Sequence, residues 1–429
     1  MAGEWVTAPL SELCEQIADC PHSTPMWTNS GVIVLRNQNI RGGRLDLSSP
    51  SYTDEAHYEQ RSRRARLKAG DLVLTREAPM GEVCLVPPNL RCCLGQRMVM
   101  LRPNPKKCDS RFLLYSIQSD VVQHEIKVNE GTGSTVSNLR IPLLKVLPIP
   151  HPPLAEQKAI GAVLGALDDK IELNKQMNAT LEALARALFQ SWFVDFDPVR
   201  AKLDGRTPVG MKAATAALFP SEFEETILGH TPKGWEILSL DNAAAYLNGL
   251  ALQKYPPVDG STLPAIKIAQ LRKGDSAGAE RCNANLPPSY IVQDGDVLFS
   301  WSGSLEVKLW CGGLGALNQH LFKVTSSKYP KWFYYLWTLY HLDEFRLIAA
   351  DKATTMGHIQ RGHLSAAKVL IPPGPLLDAM TRIMSPLIDR IIANRVQSRT
   401  LAALRDTLLP KLLSGAVKVS TESTRLEHK

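Results

Sequence analysis

The stretches "LDDKIELNKQMNATLEALARALF" (Leu167–Phe189) and "LIDRIIANRVQSRTLAALRDTLL" (Leu387–Leu409) align without a gap at an offset of 220 residues. In the first copy Ile160, Leu164, Leu167, Ile171, Asn174, Asn178, Leu181, Ala185, Leu188 and Trp192 fall at alternating spacings of four and three. That is the a/d seam of a coiled coil. In the second, Met384, Leu387, Ile391, Asn394, Ser398, Leu401, Leu408 and Leu412 take the equivalent places. Asn174 and Asn394 interrupt the seam at the same phase, and polar Asn178 and Ser398 follow them. A polar residue in a seam costs stability but fixes register and partner choice.

Each helix begins at prolines, "PPLAEQ" (Pro152–Gln157) and "PPGPLLDA" (Pro372–Ala379). Proline disfavours helix in the residue before it and is tolerated in the first helical turn. Helices over Leu154–Phe193 and Leu376–Leu413 run to about 60 Å at about 1.5 Å rise per residue. That outreaches a domain of about 150 residues. An antiparallel pair of them would carry one globular part at each end, about a rough two-fold axis.

The duplication extends beyond the helices. "GEWVTAPLSEL" (Gly3–Leu13) matches "KGWEILSLDN" (Lys233–Asn242), and "AGDLVLT" (Ala69–Thr75) matches "DGDVLFS" (Asp294–Ser300). "LGQRMVML" (Leu94–Leu101) matches "LNQHLFKV" (Leu317–Val324), and "KVLPIPHPPL" (Lys145–Leu154) matches "KVLIPPGPLL" (Lys368–Leu377). The segments before the helices mix short β-favouring runs after Gly-Asp turns with helical stretches such as Arg111–Ile126 and Trp332–Phe345. The expected fold is α+β: two similar globular domains, residues 1–151 and 233–371, with long helices over 152–194 and 372–415, a connector over 195–232 and a tail over 416–429.

Chemistry that would make the chain an enzyme is absent from its motifs. It has no phosphate-binding G-x-x-x-x-G-K-[ST] loop and no glycine-rich dinucleotide fingerprint. "NLPPSY" (Asn285–Tyr290) has the wrong spacing for an amino-methyltransferase and reads as a turn before a strand. The pairs Asp168-Asp169 and Glu224-Glu225 read as solvated surface rather than a Mg²⁺ site. Eight scattered cysteines and ten histidines show no metal-ligand spacing, so reduced thiols in a cytoplasmic protein are expected. No signal peptide and no membrane span is expected.

A net charge of +7 permits nucleic-acid binding. Groups suited to it cluster in "LRNQNIRGGR" (Leu35–Arg44) and "RSRRARLK" (Arg61–Lys68). Further candidates lie in the loops Glu130–Arg140 and Asp351–Arg361, and in "IKIAQLRKGD" (Ile266–Asp275). The candidate DNA contacts are Arg36, Asn37, Arg41, Arg44, Arg63, Arg64, Ser134 and Thr135 in the first half. In the second they are Lys267, Gln270, Arg272, Lys273, Thr354 and Thr355. Arginine and lysine neutralise phosphates, and Arg, Asn and Gln can read purine edges bidentately. Gln96 and Gln319 match between the copies, as a shared structural amide at least as much as a DNA contact. Helix pairing and subunit docking fall to Leu164, Leu167, Ile171, Asn174, Leu181, Leu188, Leu387, Ile391, Asn394, Leu401 and Leu408.

Over essentially its whole length the chain resembles the specificity subunit of type I restriction–modification systems. The resemblance is carried by Pro148–Lys202, with its Pro-Pro-Leu-x-Glu-Gln start, Leu-Asp-x-Lys-Ile core and Trp-Phe-Val-Asp-Phe exit, and by Leu218–Leu240. It implies two target recognition domains that read a split site in double-stranded DNA, with the helix pair as a ruler between them. It implies docking of two methyltransferase subunits and two restriction subunits. Those partners would use S-adenosylmethionine, and ATP with Mg²⁺; this chain would bind no cofactor or metal and catalyse nothing. The second copy departs at "PLLDAMTRI" (Pro375–Ile383), which lacks the Glu-Gln pair. The alternatives are an autonomous DNA methyltransferase or nuclease, and a coiled-coil scaffold without a DNA role.

Overall fold

A computed structural model describes residues 5–128, 138–258, 260–351 and 357–419. The chain divides into two compact units, residues 1–170 with 401–429, and residues 171–400. Each unit therefore holds one globular segment and a part of both long helices. These helices are continuous over Leu154–Phe193 and Gly374–Leu413, within two residues of the spans expected from sequence.

The first unit is built on a four-stranded antiparallel sheet. Its order is Cys14–Asp19, Met98–Pro103, Leu72–Thr75 and Val83–Leu85. Leu72–Thr75 and the first four residues of Met98–Pro103 are buried throughout, so these strands read as apolar runs rather than alternating ones. A second sheet sets Val32–Leu35 between antiparallel Ser51–Thr53 and parallel Cys92–Leu94. The helices Ser110–Gln118 and Asp120–Val128 pack on the first sheet, and Phe112, Leu113, Ile117, Val122 and Ile126 are buried with Leu72, Leu74, Val99 and Leu101. Asp109 caps the first of these helices, accepting from the Phe112 amide at 2.9 Å.

The second unit repeats this plan and adds one strand, Ile291–Val292, to its second sheet. Ala245–Asn248, Leu321–Thr325, Val297–Ser300 and Val307–Leu309 form the equivalent antiparallel sheet. Thr262–Ile266 lies between antiparallel Arg281–Asn283 and parallel Gly315–Leu317. In both units the first strand pairs with the last one before the long helix: Thr7–Pro9 with Pro148–Pro150, and Glu236–Ser239 with Lys368–Ile371. The duplication expected from sequence is thus a duplication of topology and of strand register.

Segment 195–232 carries more structure than a connector. Besides short helices Asp197–Leu203 and Ala213–Leu218 it forms a hairpin, Phe223–Thr226 with Gly229–Pro232. Its Phe196, Val199 and Phe219 are buried in the core of the second unit. They join Phe189, Trp192 and Phe193 from the end of the first long helix. Phe193 meets Trp235, Phe333 and Trp337 at ring-centroid distances of 5.4, 5.8 and 5.6 Å. The aromatic Trp-Phe-Val-Asp-Phe exit is therefore an anchor for the unit's core, where aromatic pairs add to the energy of burial.

The two helix starts differ in a way that explains the missing Glu-Gln. Gln157 is fully buried, donating to the carbonyls of Lys107 and Pro152 at 3.1 and 2.9 Å and accepting from the Asp109 amide at 3.1 Å. In the second helix the residue 220 positions on is Leu377, and with fully buried Leu376 it packs into the apolar core. One start is tied by an amide, the other by burial.

Candidate nucleic-acid interface

Within the second unit the two long helices meet through a polar ladder. Asn174 donates to the carbonyl of Asn394, to Gln397 and to Ser398 at 3.4, 2.9 and 3.2 Å. Asn178 donates to the Ile391 carbonyl at 3.2 Å and accepts from Asn394 at 2.8 Å. As the numbers rise on one helix they fall on the other, so the pairing is antiparallel. Asn174, Asn178 and Asn394 are all buried. Leu181, Leu188 and Leu387 pack beside Met384 and Ile391 in the same unit, while Ile171 and Leu401 are half-buried. In the first unit Leu164 is buried and Leu408 packs with it, and Leu167 is half-buried.

The first unit adds a node that sequence reading took for solvated surface. The Asp168 carboxylate accepts from Arg44, Tyr115 and Arg405, each at 2.7 Å. Its side chain is only 20% exposed. Burial alone would raise its pKa, but the bonds from Arg44, Tyr115 and Arg405 outweigh that and hold it below the usual carboxylate range. Its neighbour Asp169 is exposed and pairs with Arg111 at 2.9 Å. Helical phase separates the two: position 168 faces the partner elements and 169 faces solvent. The second unit makes a different tie. Asp294 accepts both guanidinium nitrogens of Arg399 at 2.7 and 2.8 Å, and Arg395 bonds Glu182 at 2.6 Å. The bonds from Arg399 hold Asp294 below the usual range.

Of the candidate DNA contacts, Arg44 is thus committed to the long helix. Arg36, Arg41, Arg63 and Arg64 are exposed and meet no carboxylate among the described residues. Asn37 is spent on the carbonyls of Glu77 and Ala78, the latter at 3.1 Å. The basic run also divides: Arg61 is buried, donating to the Leu94 and Ser23 carbonyls at 3.0 and 2.9 Å. In the second unit every basic candidate has a carboxylate beside it: Lys267 with Glu280 at 2.7 Å, Arg272 with Glu306 at 3.5 Å and Lys273 with Asp275 at 3.2 Å. Gln270 accepts from the Lys267 amide at 3.3 Å and closes a helical turn. Ser134, Thr135, Thr354 and Thr355 lie outside the described residues.

Each unit also has a hollow at the end of its parallel strand pair. In the first, about 470 Å³ is lined by Trp27, Arg36, Gln38, Pro79, Gln96 and Arg97, among others. In the second, about 520 Å³ is lined by Gln253, Lys267, Ala269, Glu280, Gln319 and His320, among others. Gln96 and Gln319, matched in sequence, occupy the same place in both. Gln96 is tied to the His22 carbonyl at 2.8 Å, a structural amide.

The thiols offer no reactive centre. Seven of the eight cysteines are buried and all are free. Burial pushes Cys14, Cys84 and Cys92 up to about 12. Among the described residues no group of three His, Cys, Asp or Glu could hold a metal ion, and no helix is long and apolar enough to cross a membrane.

Two α+β units of like topology, each with part of both long helices, define the architecture, and comparison shows what the chain is similar to. Residues 3–183 match the type I restriction modification DNA specificity domain. The chain is similar to the specificity subunits of type I restriction–modification systems, and the resemblance drawn from its helices holds. It is 27% identical over 359 residues to the MjaIX specificity subunit of Methanocaldococcus jannaschii, covering 82% of this chain and 78% of that one. It is 24% identical over 410 residues to the HindI specificity subunit of Haemophilus influenzae, covering 82% and 87%. The crystal structure of the type I S subunit from M. genitalium superposes with a TM-score of 0.62 at 15% identity, covering 95% and 96% of the two chains. That likeness confirms the fold.

Proposed function

We propose that this chain is the DNA-reading subunit of a cytoplasmic type I restriction–modification complex. Each globular segment reads one half of a split site in double-stranded DNA, and the antiparallel helices set the spacer. The observation that carries this reading is the duplicated hollow. Two units with the same strand register carry an amide-bearing hollow at the same point of the fold, as two reading heads on one chain require. Phosphate contacts position such a surface and base contacts specify its target. Half-sites one helical turn apart stand about 34 Å from each other.

Two methyltransferase subunits and two restriction subunits dock on the chain, and the helices offer them long exposed faces. The partners use S-adenosylmethionine, and ATP with Mg²⁺ for cleavage. This chain recognises and does not catalyse. The test is methylome sequencing of cells expressing the chain with its methyltransferase partner. A split motif with adenine methylated in each half supports the reading; a continuous motif, or methylation by the purified chain alone, refutes it.

A further inference from the structure

Strand register makes the two hollows comparable residue by residue. Leu35 pairs with Leu94 in the first unit, and Ile266 with Leu317 in the second. One residue on, the Arg36 and Lys267 amides donate to Asn39 and Gln270, each three positions ahead. Arg36 is therefore equivalent to Lys267, and Gln38 to Ala269.

Most polar side chains around the first hollow are already engaged. Asn37 and Gln96 bond backbone carbonyls, and Arg97 pairs with Glu77 at 3.0 Å. Arg36 lies over the exposed ring of Trp27, 5.1 Å from its centroid. Gln38 alone among the lining amides is exposed and has no hydrogen-bond partner among the described residues. In the second hollow its counterpart is exposed Ala269, which carries no hydrogen-bonding group. There Lys267 is paired with Glu280, and Gln319 lies 3.3 Å from the His320 ring. The amide left exposed and without a partner among the described residues is Gln253, on a different wall of the same hollow.

We infer that Gln38 and Gln253 are specificity-determining residues, each reading an adenine edge in its own half-site. A free glutamine amide offers the donor and acceptor that match adenine N7 and N6 in the major groove. The walls that hold it are fixed by bonds already made, so little ordering remains to be done on binding. Because the two amides stand on non-equivalent positions, the two halves place their adenine at different steps from the end of the half-site. This inference rests on the DNA-reading function proposed above.

The test uses the assembled complex with its methyltransferase partner, with motif sequencing and competitive binding to variant duplexes as readouts. Gln38→Ala should remove the preference for adenine at one position of one half-site, cutting discrimination there by about tenfold to a hundredfold. Gln253→Ala should do the same in the other half, and each should leave the opposite half unchanged. Gln38→Glu and Gln253→Glu keep side-chain size, and serve where an alanine variant fails to assemble. An unchanged motif, relaxation at a position other than A·T, or both variants relaxing the same half would overturn the inference. A wild-type complex with no split motif would instead overturn the DNA-reading function itself.

Discussion

Asp168 shows what one carboxylate can do on a long helix. It receives bonds from the first globular segment, through Arg44 and Tyr115, and from the second long helix, through Arg405. Asp168→Asn removes the charge while keeping the shape, and should cost about 1–3 kcal/mol of stability at pH 7. The folded-state pKa is depressed, so the stabilisation is fully present above the ordinary carboxylate value and is lost as pH falls through the folded pKa. Chemical denaturation of both proteins across pH 7 to pH 3 should show the gap closing on the acid side; a gap constant with pH would assign the cost to packing. Asp168 was not legible as a node. Its neighbour Asp169 is chemically identical, and a helical pattern shows which residues share a face but not what stands opposite. The arginines were partly legible for the same reason. Arg36 and Arg44 sit in one ten-residue run, yet one stays on the surface and the other turns to the helix.

At the scale of the element, the seam was readable because its interruptions repeat. Asn174 and Asn394 lie at one phase of two aligned helices, and the structure brings both into one buried ladder. Its symmetry is imperfect: Ser398 stands where the first helix has Asn178, and the Asn174 side-chain oxygen is left without a partner among the described residues. Asn394→Ala strips Asn178 of its donor, so it should destabilise the protein by about 1–3 kcal/mol in urea denaturation. If the helices act as the ruler, an insertion of four residues after Asn178 should change the permitted spacer and leave both half-site sequences alone. Motif sequencing decides it, and altered half-site letters would sink the division of labour. The hairpin at Phe223–Pro232 was not legible, since its strands are short, the first acidic and the second Gly-His-Thr-Pro, without the alternation that announces a strand.

For the molecule as a whole, duplication was the strongest signal in the sequence, because register and topology both follow from aligned apolar runs. Charge did not duplicate. The first unit offers Arg36, Arg41, Arg63 and Arg64 without carboxylate partners among the described residues, while Lys267, Arg272 and Lys273 of the second are paired. The first unit should therefore supply more of the salt-dependent grip. Replacing its four arginines by alanine should lower the slope of log affinity against log salt by up to about 3.6, at about 0.9 for each phosphate no longer neutralised. Replacing the three cations of the second unit should lower it by well under about 0.9 per residue, since each already has a counter-charge. An equal drop per residue in titrations of the assembled complex would contradict this.

The strand ties at the base of each globular segment have a consequence for change over generations. In both units the chain enters on a strand that is hydrogen-bonded to the strand on which it leaves. Everything between, from Leu10 to Leu147 or from Leu240 to Ala367, hangs on a short two-stranded clasp. A segment whose ends lie side by side can be exchanged for another that presents the same clasp, provided the newcomer also meets the helix-borne groups, Gln157 and Asp168 in the first unit and Phe193 and Arg399 in the second. A new globular segment can then be acquired by substitution of a cassette, with the long helices left in place.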